Sequence, residues 1–522
     1  MKRLSRRGFL SGAAIGSLGV VAALAGCSPE QQPSGDAPSA GSSGAIPQTW
    51  DKEAELVIVG GGGTGLAASV EATQKGNTSV LVIEKSSNSG GCTAISGGVV
   101  QAAGTRFQKE LTEFQDDTPD KHFEYWKLAG EGDIDETLVR DLANNAPDHV
   151  EWLAAQGIDY TEVYGANQIP YIPNDLMAYR IHNPATSESG GGAIHAAALR
   201  ATADSNGVEF LFDTTVTSLI FDPEKGVVGV TATDSGKTLN IKATRGVILG
   251  TSSIDHDEEL SKALSRQHYY EMQHGACRTP DTNTGDGIKM AMRLGAGLAG
   301  FGGTVTLISG SAGTGSPYPK PPQLIINGAG KRFFCEDATY AYGARACYQQ
   351  ATEFGKDCSI VFGKSATEPP AEGSWTNAET LQKALSDGNL FTADTIDALA
   401  AGIDVSAEKL RATIDEWNND INTYGEDRAY GRDSGLLPCE APYYYQPVTF
   451  SSNLGSIGGV KIDVNAQVID TDGKPIPRLF AGGMCTGGWI GSYYPGSGTA
   501  VMGTVHWGRK AANSVLALDP WG

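Results

Sequence analysis

Cysteine and histidine patterns that hold metals or haem are missing from this 522-residue chain. Its eight cysteines form no Cys-x-x-Cys pair, no Cys-x-x-Cys-His haem attachment site and no ferredoxin-like run. The eight histidines show no metal-ligand spacing. Outside the N-terminal segment seven cysteines remain, an odd number that argues against a fully paired disulfide framework. We therefore predict buried free thiols and no bound metal.

Excess positive charge and long apolar runs are missing as well. The formal net charge of −21 disfavours nucleic acids and anionic membrane surfaces as partners. One modest apolar run, residues 13–25, is too short and too rich in Gly and Ala for a good transmembrane helix. There is no internal repeat, and the length suffices for two domains with a hydrophobic core.

The N-terminal segment is predicted to be an export signal rather than part of the fold. Residues 5–10, Ser-Arg-Arg-Gly-Phe-Leu, resemble a twin-arginine signal, and residues 24–27, Leu-Ala-Gly-Cys, resemble a lipoprotein cleavage box. We expect residues 1–27 to be the signal, Cys27 to carry the lipid, and residues 28–49 to form a flexible tether. The protein would then sit on the outer face of the cytoplasmic membrane, held by this lipid only. The alternative is an ordinary export signal with a chance cysteine.

Residues 55–84 organise the rest of the chain. A short apolar strand, residues 56–59, is followed by three glycines with Gly-x-Gly-x-x-Gly spacing, Gly60, Gly62 and Gly65. These glycines permit a tight turn, close backbone approach to a pyrophosphate, and helix packing on the strand. The following helix, residues 66–75, directs its N-terminal N–H groups at the pyrophosphate. After a second strand, residues 80–83, Glu84 stands where a ribose hydroxyl acceptor is expected. A purely structural glycine-rich turn is the alternative.

Other segments extend this pattern along the chain. The loop 89–98 has two glycine pairs around small hydroxyl residues, and it could lay backbone N–H groups along phosphates and a flavin edge, or be any flexible loop. Residues 246–253 form a buried strand that ends in small residues, and Gly285-Asp286-Gly287 begins a helix. The remaining predicted helices are 119–156, 193–203, 288–294, 377–385 with a capping box from Thr376 to Glu379, 407–417 and 501–516. The remaining predicted strands are 208–212, 216–221, 227–233 and 239–243, the last two joined by a turn at 234–236.

The fold class that these elements predict is α/β. We expect a Rossmann-like FAD-binding domain in two parts, residues 50–295 and 442–522. An inserted α+β substrate-capping domain, residues 296–441, would separate them, because the chain changes character near Ala296 and returns to glycine-rich strands near its end.

From about Glu53 to its end, the chain resembles the flavoprotein family of fumarate reductase flavoprotein subunits, urocanate reductase and 3-ketosteroid dehydrogenases. The matching pieces, in order, are Val-Ile-Val-Gly-Gly-Gly-Gly-Thr-Gly, Gly-Gly-Cys-Thr-Ala-Ile-Ser-Gly-Gly, Gly-Val-Ile-Leu-Gly-Thr, Asn-Thr-Gly-Asp-Gly, Gly-Lys-Arg-Phe-Phe-Cys-Glu, Gly-Gly-Val-Lys-Ile-Asp and Leu-Phe-Ala-Gly-Gly. The resemblance implies FAD in the first domain and a capping domain that closes the substrate over the flavin. With the motifs it implies these FAD-binding residues: Gly60, Gly62, Gly65, Glu84, Gly91, Thr93, Ser96, Gly97, Gly98, Val216, Asp286, Gly483, Thr499, Ala500 and Val501.

The chain departs from the fumarate reductases where those enzymes hold a dicarboxylate. Tyr340 stands where the family has its proton-donating arginine, and residues 454–457, Leu-Gly-Ser-Ile, replace a histidine. The loop 492–495, Ser-Tyr-Tyr-Pro, has no cation to clamp a carboxylate. Because a dicarboxylate needs cations in its site, we expect neither succinate nor fumarate as substrate.

The segment 494–498, Tyr-Pro-Gly-Ser-Gly, is instead similar to the 3-ketosteroid dehydrogenase loop. The resemblance implies that the Tyr494 hydroxyl and the Gly498 N–H hold a ketone oxygen, where two neutral donors would stabilise a developing enolate. Tyr340 would transfer the α proton. As alternatives, Tyr340 and Tyr342 could be packing residues, and Tyr493 is expected only to form a wall.

Together these features predict an exported FAD-dependent oxidoreductase acting on CH–CH bonds. It would reduce an enone or another α,β-unsaturated substrate, because an exported protein has no ready NAD(P)H and this chain has no haem motif of its own. Electrons would come from a separate membrane cytochrome or quinol-linked donor. The alternatives are an enzyme of 3-ketosteroid dehydrogenase type, running in the other direction, and a non-catalytic flavin-binding lipoprotein that acts as a sensor.

Overall fold

The structure, a computed structural model, describes residues 46–522 apart from residues 77, 166–168, 170, 186–189, 310–321 and 372–373. The predicted twin-arginine signal, Cys27 and the tether as far as residue 45 lie outside the described residues. In the described part, no helix combines the length and the apolar character that a membrane crossing needs.

Strands and helices are numbered here in chain order. The strands are β1 (Lys52–Val59), β2 (Val80–Ile83), β3 (Val100–Gln101), β4 (Tyr160–Tyr164), β5 (Ile181–Pro184), β6 (Glu209–Leu211), β7 (Thr214–Asp222), β8 (Gly226–Asp234), β9 (Lys237–Leu249), β10 (Leu298–Ala299), β11 (Thr304–Ile308), β12 (Leu324–Ile326), β13 (Ser359–Phe362), β14 (Phe391–Ala393), β15 (Tyr443–Pro447), β16 (Phe450–Ser456), β17 (Gly459–Lys461), β18 (Gln467–Ile469), β19 (Pro475–Ala481) and β20 (Thr486–Gly487). The α-helices are α1 (Gly63–Lys75), α2 (Gly91–Ile95), α3 (Arg106–Leu111), α4 (Pro119–Ala129), α5 (Glu136–Ala155), α6 (Gly191–Ser205), α7 (Glu258–Leu264), α8 (Arg266–Gln273), α9 (Asp286–Arg293), α10 (Tyr340–Phe354), α11 (Ala378–Ser386), α12 (Ile396–Gly402), α13 (Ala407–Tyr424) and α14 (Thr499–Leu516).

A largely parallel sheet carries the strand that leads into the first glycine turn. Its strand order is β18-β19-β9-β1-β2-β6, and β1 is parallel to both β9 and β2. The register places Ile58 beside Val82 on one side and Ile248 on the other. All four residues of β2 are buried, as expected where helices cover both faces of a parallel sheet. The predicted α/β class is therefore confirmed.

Strand β9 joins a hairpin to this sheet. The sequence predicted two strands here, residues 239–243 and 246–253, but the structure has one continuous strand, Lys237–Leu249, that ends before the small residues. Its first part pairs with β8, and its later part lies between β1 and β19. The predicted hairpin turn is confirmed, since Ser235 and Gly236 have φ values of 48° and 83°, the left-handed pair that a tight two-residue hairpin needs. One long strand thus spans two sets of partners.

Residues 304–456 form antiparallel sheets of their own. Strand β11 pairs with β16, and a four-stranded sheet has the order β12-β13-β15-β14. Two apolar clusters fill this region, one around Ile360 and Phe362 and one around Leu410 and Trp417. Antiparallel strands with segregated helices are an α+β arrangement. The predicted domain boundaries at 296 and 441 stay predictions.

Several helix limits differ from the sequence-based ones for local reasons. The segment 119–156 is two helices, α4 and α5, separated at Gly130, which caps α4, and at Gly132, with φ 88°. The predicted capping box at Thr376 is wrong by one residue, because the Asn377 side chain accepts the cap hydrogen bond from the Thr380 N–H at 3.0 Å. Asparagine is a cap as good as threonine, so the sequence alone did not decide between them.

Candidate active site

The turn between β1 and α1 uses its three glycines differently. Gly60 has φ 103°, and a Cβ added there would lie 2.5 Å from the Gly250 carbonyl oxygen. A Cβ on Gly65 would lie 2.0 Å from the Gly60 carbonyl oxygen, so helix and strand are in direct backbone contact. In contrast, a Cβ on Gly62 would meet no atom within 4 Å. The turn thus leaves open space in front of Gly62 and none at the other two positions.

That open space belongs to a cavity of about 270 Å³. Among the described residues, no side chain caps the first turn of α1, so its N–H groups are available to a phosphate, as a pyrophosphate site requires. Glu84 lines the same cavity, and its carboxylate accepts hydrogen bonds from the N–H groups of Gly61 at 2.7 Å and Ser86 at 2.8 Å. These residues fit the diphosphate and ribose of FAD. The predicted FAD residues on this wall are Gly60, Gly62, Glu84, Gly91, Thr93, Val216 and Asp286.

A second cavity, of about 450 Å³, adjoins the first. Both are lined by Cys92, Thr93, Ile95, Ser252, Met484 and Thr504, so they form one continuous groove. The predicted residues on the wall of the second cavity are Ser96, Gly97, Gly98, Tyr340, Tyr494, Gly498, Ala500 and Val501. A group that extends from the first cavity therefore reaches the predicted catalytic residues.

Three predicted FAD residues line neither cavity. Gly65 packs against Gly60, and Gly483 lies against Thr64. The hydroxyl of Thr499 donates to Gln101 Oε1 at 3.0 Å, which anchors the start of α14. Each is adjacent to the walls rather than on them, and the FAD contacts assigned to all these residues stay predictions.

Tyr494 is held by the N-terminus of α14. Its hydroxyl oxygen accepts a hydrogen bond from the Ala500 N–H at 2.7 Å, and the Gly498 N–H and Thr499 hydroxyl also face it. Because an N–H group can only donate, the Tyr494 oxygen is the acceptor in its contact with Ala500, and the phenolic proton is left for another acceptor. Burial raises the pKa of Tyr494, and these donors only partly offset that rise. Tyr494 is therefore a neutral hydrogen-bond donor.

Tyr340 begins α10 and faces the same cavity. Its hydroxyl lies 3.4 Å from Ser497 Oγ, and its ring centroid lies 6.4 Å from that of Tyr494. Burial raises the pKa of Tyr340 well above the usual value for tyrosine. This burial keeps Tyr340 in its neutral, protonated form. A neutral phenol of this kind can give a proton but is a poor base.

The neighbouring Tyr493 lines neither cavity but packs behind the site. Its hydroxyl lies 2.7 Å from that of Tyr171, and its ring meets Tyr342 edge-on. Arg345 stacks on the Tyr493 ring at 4.5 Å and forms an ion pair with Glu131 at 2.7 Å. This cluster connects α10 to the loop that carries Tyr494.

The arginines that could have clamped a carboxylate are used elsewhere. Arg332 donates to Glu336 at 2.8 Å and to Asp427 at 3.0 Å within the protein interior. Arg345 is taken by Glu131. Neither arginine lines the cavity of Tyr494.

Two charged residues on the cavity wall were missed by the sequence reasoning, Asp255 and Arg278. Asp255 follows the predicted small-residue end of β9, and its Oδ1 accepts from Ser253 Oγ at 2.7 Å and the Ser456 N–H at 2.8 Å. Arg278 stands five residues before Asn283 in the matched Asn-Thr-Gly-Asp-Gly piece. Proximity to that piece was the one available signal for Arg278.

The seven described cysteines are free. Five are buried as predicted, but Cys92 and Cys277 are only partly buried, because Cys92 lies on the wall of both cavities and Cys277 lies beside it near Asp255. Burial still raises the pKa of the Cys92 thiol to about 11. Cys92 is therefore a neutral thiol on the groove wall.

Comparison with known proteins agrees with this geometry. The family described as FAD binding domain matches residues 55–501. Digoxin reductase of Eggerthella lenta is 28% identical over 99% of this chain and 98% of that protein. The acrylate reductase flavoprotein subunit of Shewanella woodyi is 30% identical over 84% of this chain and 87% of its own.

Among solved structures, 3-ketosteroid-Δ4-(5α)-dehydrogenase from Rhodococcus jostii RHA1 is 27% identical, with a TM-score of 0.74 over 90% of this chain and 98% of its own. These similarities confirm the predicted resemblance, the FAD cofactor and the predicted enzyme class. A family match of this length leaves one conclusion: the chain belongs to the FAD binding domain family, and the protein is an FAD-dependent oxidoreductase.

Proposed function

We propose that the protein reduces a carbon–carbon double bond conjugated to a carbonyl group. The observation that carries this proposal is the pairing of two neutral phenols, Tyr340 and Tyr494, in a cavity continuous with the FAD groove. Named relatives that reduce unsaturated compounds support the same class of reaction.

The first cavity would hold the FAD, whose chemistry when reduced would be to supply hydride to the β carbon. Tyr494 donates a hydrogen bond to the substrate carbonyl oxygen, where negative charge develops as hydride arrives. The N–H groups at the start of α14 polarise this phenol, because they donate to its oxygen. Tyr340 gives a proton to the α carbon, and Ser497 is placed to return a proton to Tyr340.

The same tyrosines would serve both directions, because a group that gives the α proton in reduction takes it back in dehydrogenation. The names of the reductase relatives favour reduction. Dehydrogenation of 3-ketosteroid type is the second candidate, favoured by the likeness to a solved ketosteroid dehydrogenase. Artificial electron donors and acceptors separate the two, since a reductase consumes reduced viologen with an enone and a dehydrogenase reduces an acceptor dye with a ketone.

The test uses anaerobically reduced holoenzyme mixed with enones, unsaturated acids and steroids. We expect rapid flavin reoxidation by at least one of them. Tyr494→Phe should slow the hydride step by about 10²–10³, and Tyr340→Phe should slow turnover by roughly 10²–10⁴ with a larger solvent deuterium effect. Tyr424→Phe is the control, because Tyr424 is 53% exposed and outside the groove.

Two results would count against the proposal. If no unsaturated compound reoxidises the flavin although FAD content is normal, the protein is a flavin-binding sensor rather than a reductase. If Tyr340→Phe keeps wild-type turnover, the proton comes from another group.

We also propose that the enzyme is exported and anchored through Cys27, with electrons from a membrane cytochrome or quinol-linked donor. The twin-arginine pair Arg6-Arg7 and the box ending at Cys27 support this. Cys27→Ser should move the protein from the membrane to the soluble fraction. An unchanged distribution would overturn the anchor.

A further inference from the structure

We propose that Arg278 recognises a carboxylate on the substrate, so that the preferred substrates are unsaturated carbonyl compounds with one negative charge. This inference rests on the proposed reductase function and adds the substrate class. Among the described residues of the cavity wall, Arg278 is the one side chain with a permanent positive charge.

The main chain of Arg278 is fixed although its side chain is exposed. Cys277 forms a β-bridge with Asn453, and the Arg278 N–H donates to the Asn453 carbonyl at 2.9 Å. The Arg278 side chain therefore projects from a backbone that is tied to β16, whose Ser452 and Leu454 line the same cavity.

The guanidinium group has little to bind within the protein. Its described hydrogen bond is a long one, 3.3 Å, from Nη2 to the Ser451 carbonyl. In the described part of the chain it has no carboxylate within ion-pair distance, in contrast to Arg180, Arg332 and Arg345.

The acid on the same wall, Asp255, is not in an ion pair with Arg278 among the described residues. The Asp255 carboxylate is buried and accepts from Ser253, Ser456 and Asn283, so its hydrogen-bonding capacity is directed into the protein. A guanidinium with unused N–H groups in a cavity matches a carboxylate, which it can bind through two parallel hydrogen bonds.

One cation suits one carboxylate rather than two. The described wall offers a single arginine together with the Tyr494 donor, whereas a dicarboxylate would place a second charge against neutral groups. The inference is therefore compatible with the expected exclusion of succinate and fumarate. It changes the expected substrate from a neutral compound to a singly charged one.

The experiment compares an unsaturated ketone that carries a separate carboxylate, 4-carboxybenzylideneacetone, with its neutral carboxamide, on holoenzyme. Arg278→Gln should lower kcat/KM for the acid by about 10–100-fold, through KM, because it removes a hydrogen-bonded charge. The value for the amide should stay within a factor of about two. Arg278→Lys should keep part of the activity toward the acid, because lysine has the positive charge but cannot form the two parallel hydrogen bonds of a guanidinium group.

Arg293→Gln is the matched control. Arg293 is also exposed and also makes one long contact with a carbonyl, 3.4 Å to Thr217, but it lines neither cavity. As a readout without turnover, binding of the saturated acid to oxidised holoenzyme, followed by the flavin spectrum, should weaken in Arg278→Gln and not in Arg293→Gln.

Three results would overturn the role of Arg278. In the first two, Arg278→Gln lowers kcat/KM equally for acid and amide, or lowers it for neither. In the third, the wild-type enzyme prefers the amide to the acid. These outcomes leave the reductase function standing, because wild-type enzyme still reduces the double bond. If wild-type enzyme reduces neither compound nor any other unsaturated carbonyl, the proposed function itself fails. Weaker binding of the saturated acid by Arg278→Gln would still support the anion site in that case.

Discussion

Glu271 provides a pH dependence that can be calculated from the structure. The side chain is fully buried, and burial raises the pKa of its carboxyl group from 4.5 to about 7. Donors oppose this rise without cancelling it, among them Thr306 Oγ1 at 2.6 Å and Gln267 Nε2 at 2.8 Å. The native protein therefore keeps a proton on Glu271 that the unfolded chain releases.

The sign and size follow from linkage. Because the native pKa is raised, the contribution to stability is fully present below pH 4.5 and is lost as pH rises through about 7. The rise in the pKa of Glu271 from 4.5 to about 7 corresponds to roughly 3 kcal/mol of unfolding free energy. Glu271→Gln keeps this position neutral at every pH, so the variant should lack this loss.

The measurement is urea unfolding of FAD-saturated protein at about pH 5 and about pH 8. Between these values, we expect wild type to lose up to roughly 3 kcal/mol relative to Glu271→Gln. Any pH-independent effect of the substitution on the free energy of unfolding is the same at both pH values, so it drops out of this difference. Glu259→Gln, at an exposed position of α7, is the control and should follow wild type. An equal difference between wild type and Glu271→Gln at both pH values would refute the reasoning.

Two further changes test the turn and the loop. Gly62→Ala should lower FAD affinity and leave apoprotein stability unchanged, because its Cβ enters open space, whereas Gly65→Ala should cost about 1–3 kcal/mol of stability by meeting the Gly60 carbonyl. FAD titration measures the first effect and urea unfolding the second. Equal losses of FAD affinity and of stability in both variants would contradict the geometry. Arg345→Met should slow turnover by about tenfold to a hundredfold with normal FAD content, because Arg345 donates to Ser492 at 2.7 Å beside the Tyr494 loop. Stopped-flow flavin reoxidation measures the rate, and a wild-type rate would show that the loop keeps its position without Arg345.

Asn453 connects Glu271 to the substrate cavity. It donates to the Glu271 carboxylate, and its Oδ1 accepts from the Gly455 N–H at 2.8 Å. Gly455 lines the cavity of Tyr494 and Arg278. We therefore expect the ionisation of Glu271 to affect the cavity wall through Asn453. The KM of the substrate should then change with pH more than the affinity for FAD does.

The FAD groove could be predicted from the sequence because its parts are close along the chain. The strand, the three glycines, helix α1 and Glu84 all fall within residues 55–84, and backbone geometry alone sets their roles. The turn at Ser235-Gly236 was predictable for the same reason. Where two residues offer the same local chemistry, as Thr376 and Asn377 do, the prediction failed by one position.

The tyrosines of the second cavity required the resemblance. Tyr340 and Ser497 are 157 residues apart in sequence, and no local pattern brings the start of α10 to the start of α14. Their pKa shifts were also beyond the sequence, since burial is their largest cause and depends on every element around the cavity.

The positive charge available in the substrate site could not be predicted from the sequence, because it depends on which arginines are already in ion pairs. Arg332 and Arg345 stand in or near the matched Gly-Lys-Arg-Phe-Phe-Cys-Glu piece, where an arginine could have held a substrate carboxylate. What decides whether an arginine can bind substrate is whether a carboxylate of the protein already holds it. Glu336 and Asp427 hold Arg332, and Glu131 holds Arg345. Arg278 reaches the cavity because its backbone pairs with a strand far along the chain, so its availability follows from tertiary contacts alone.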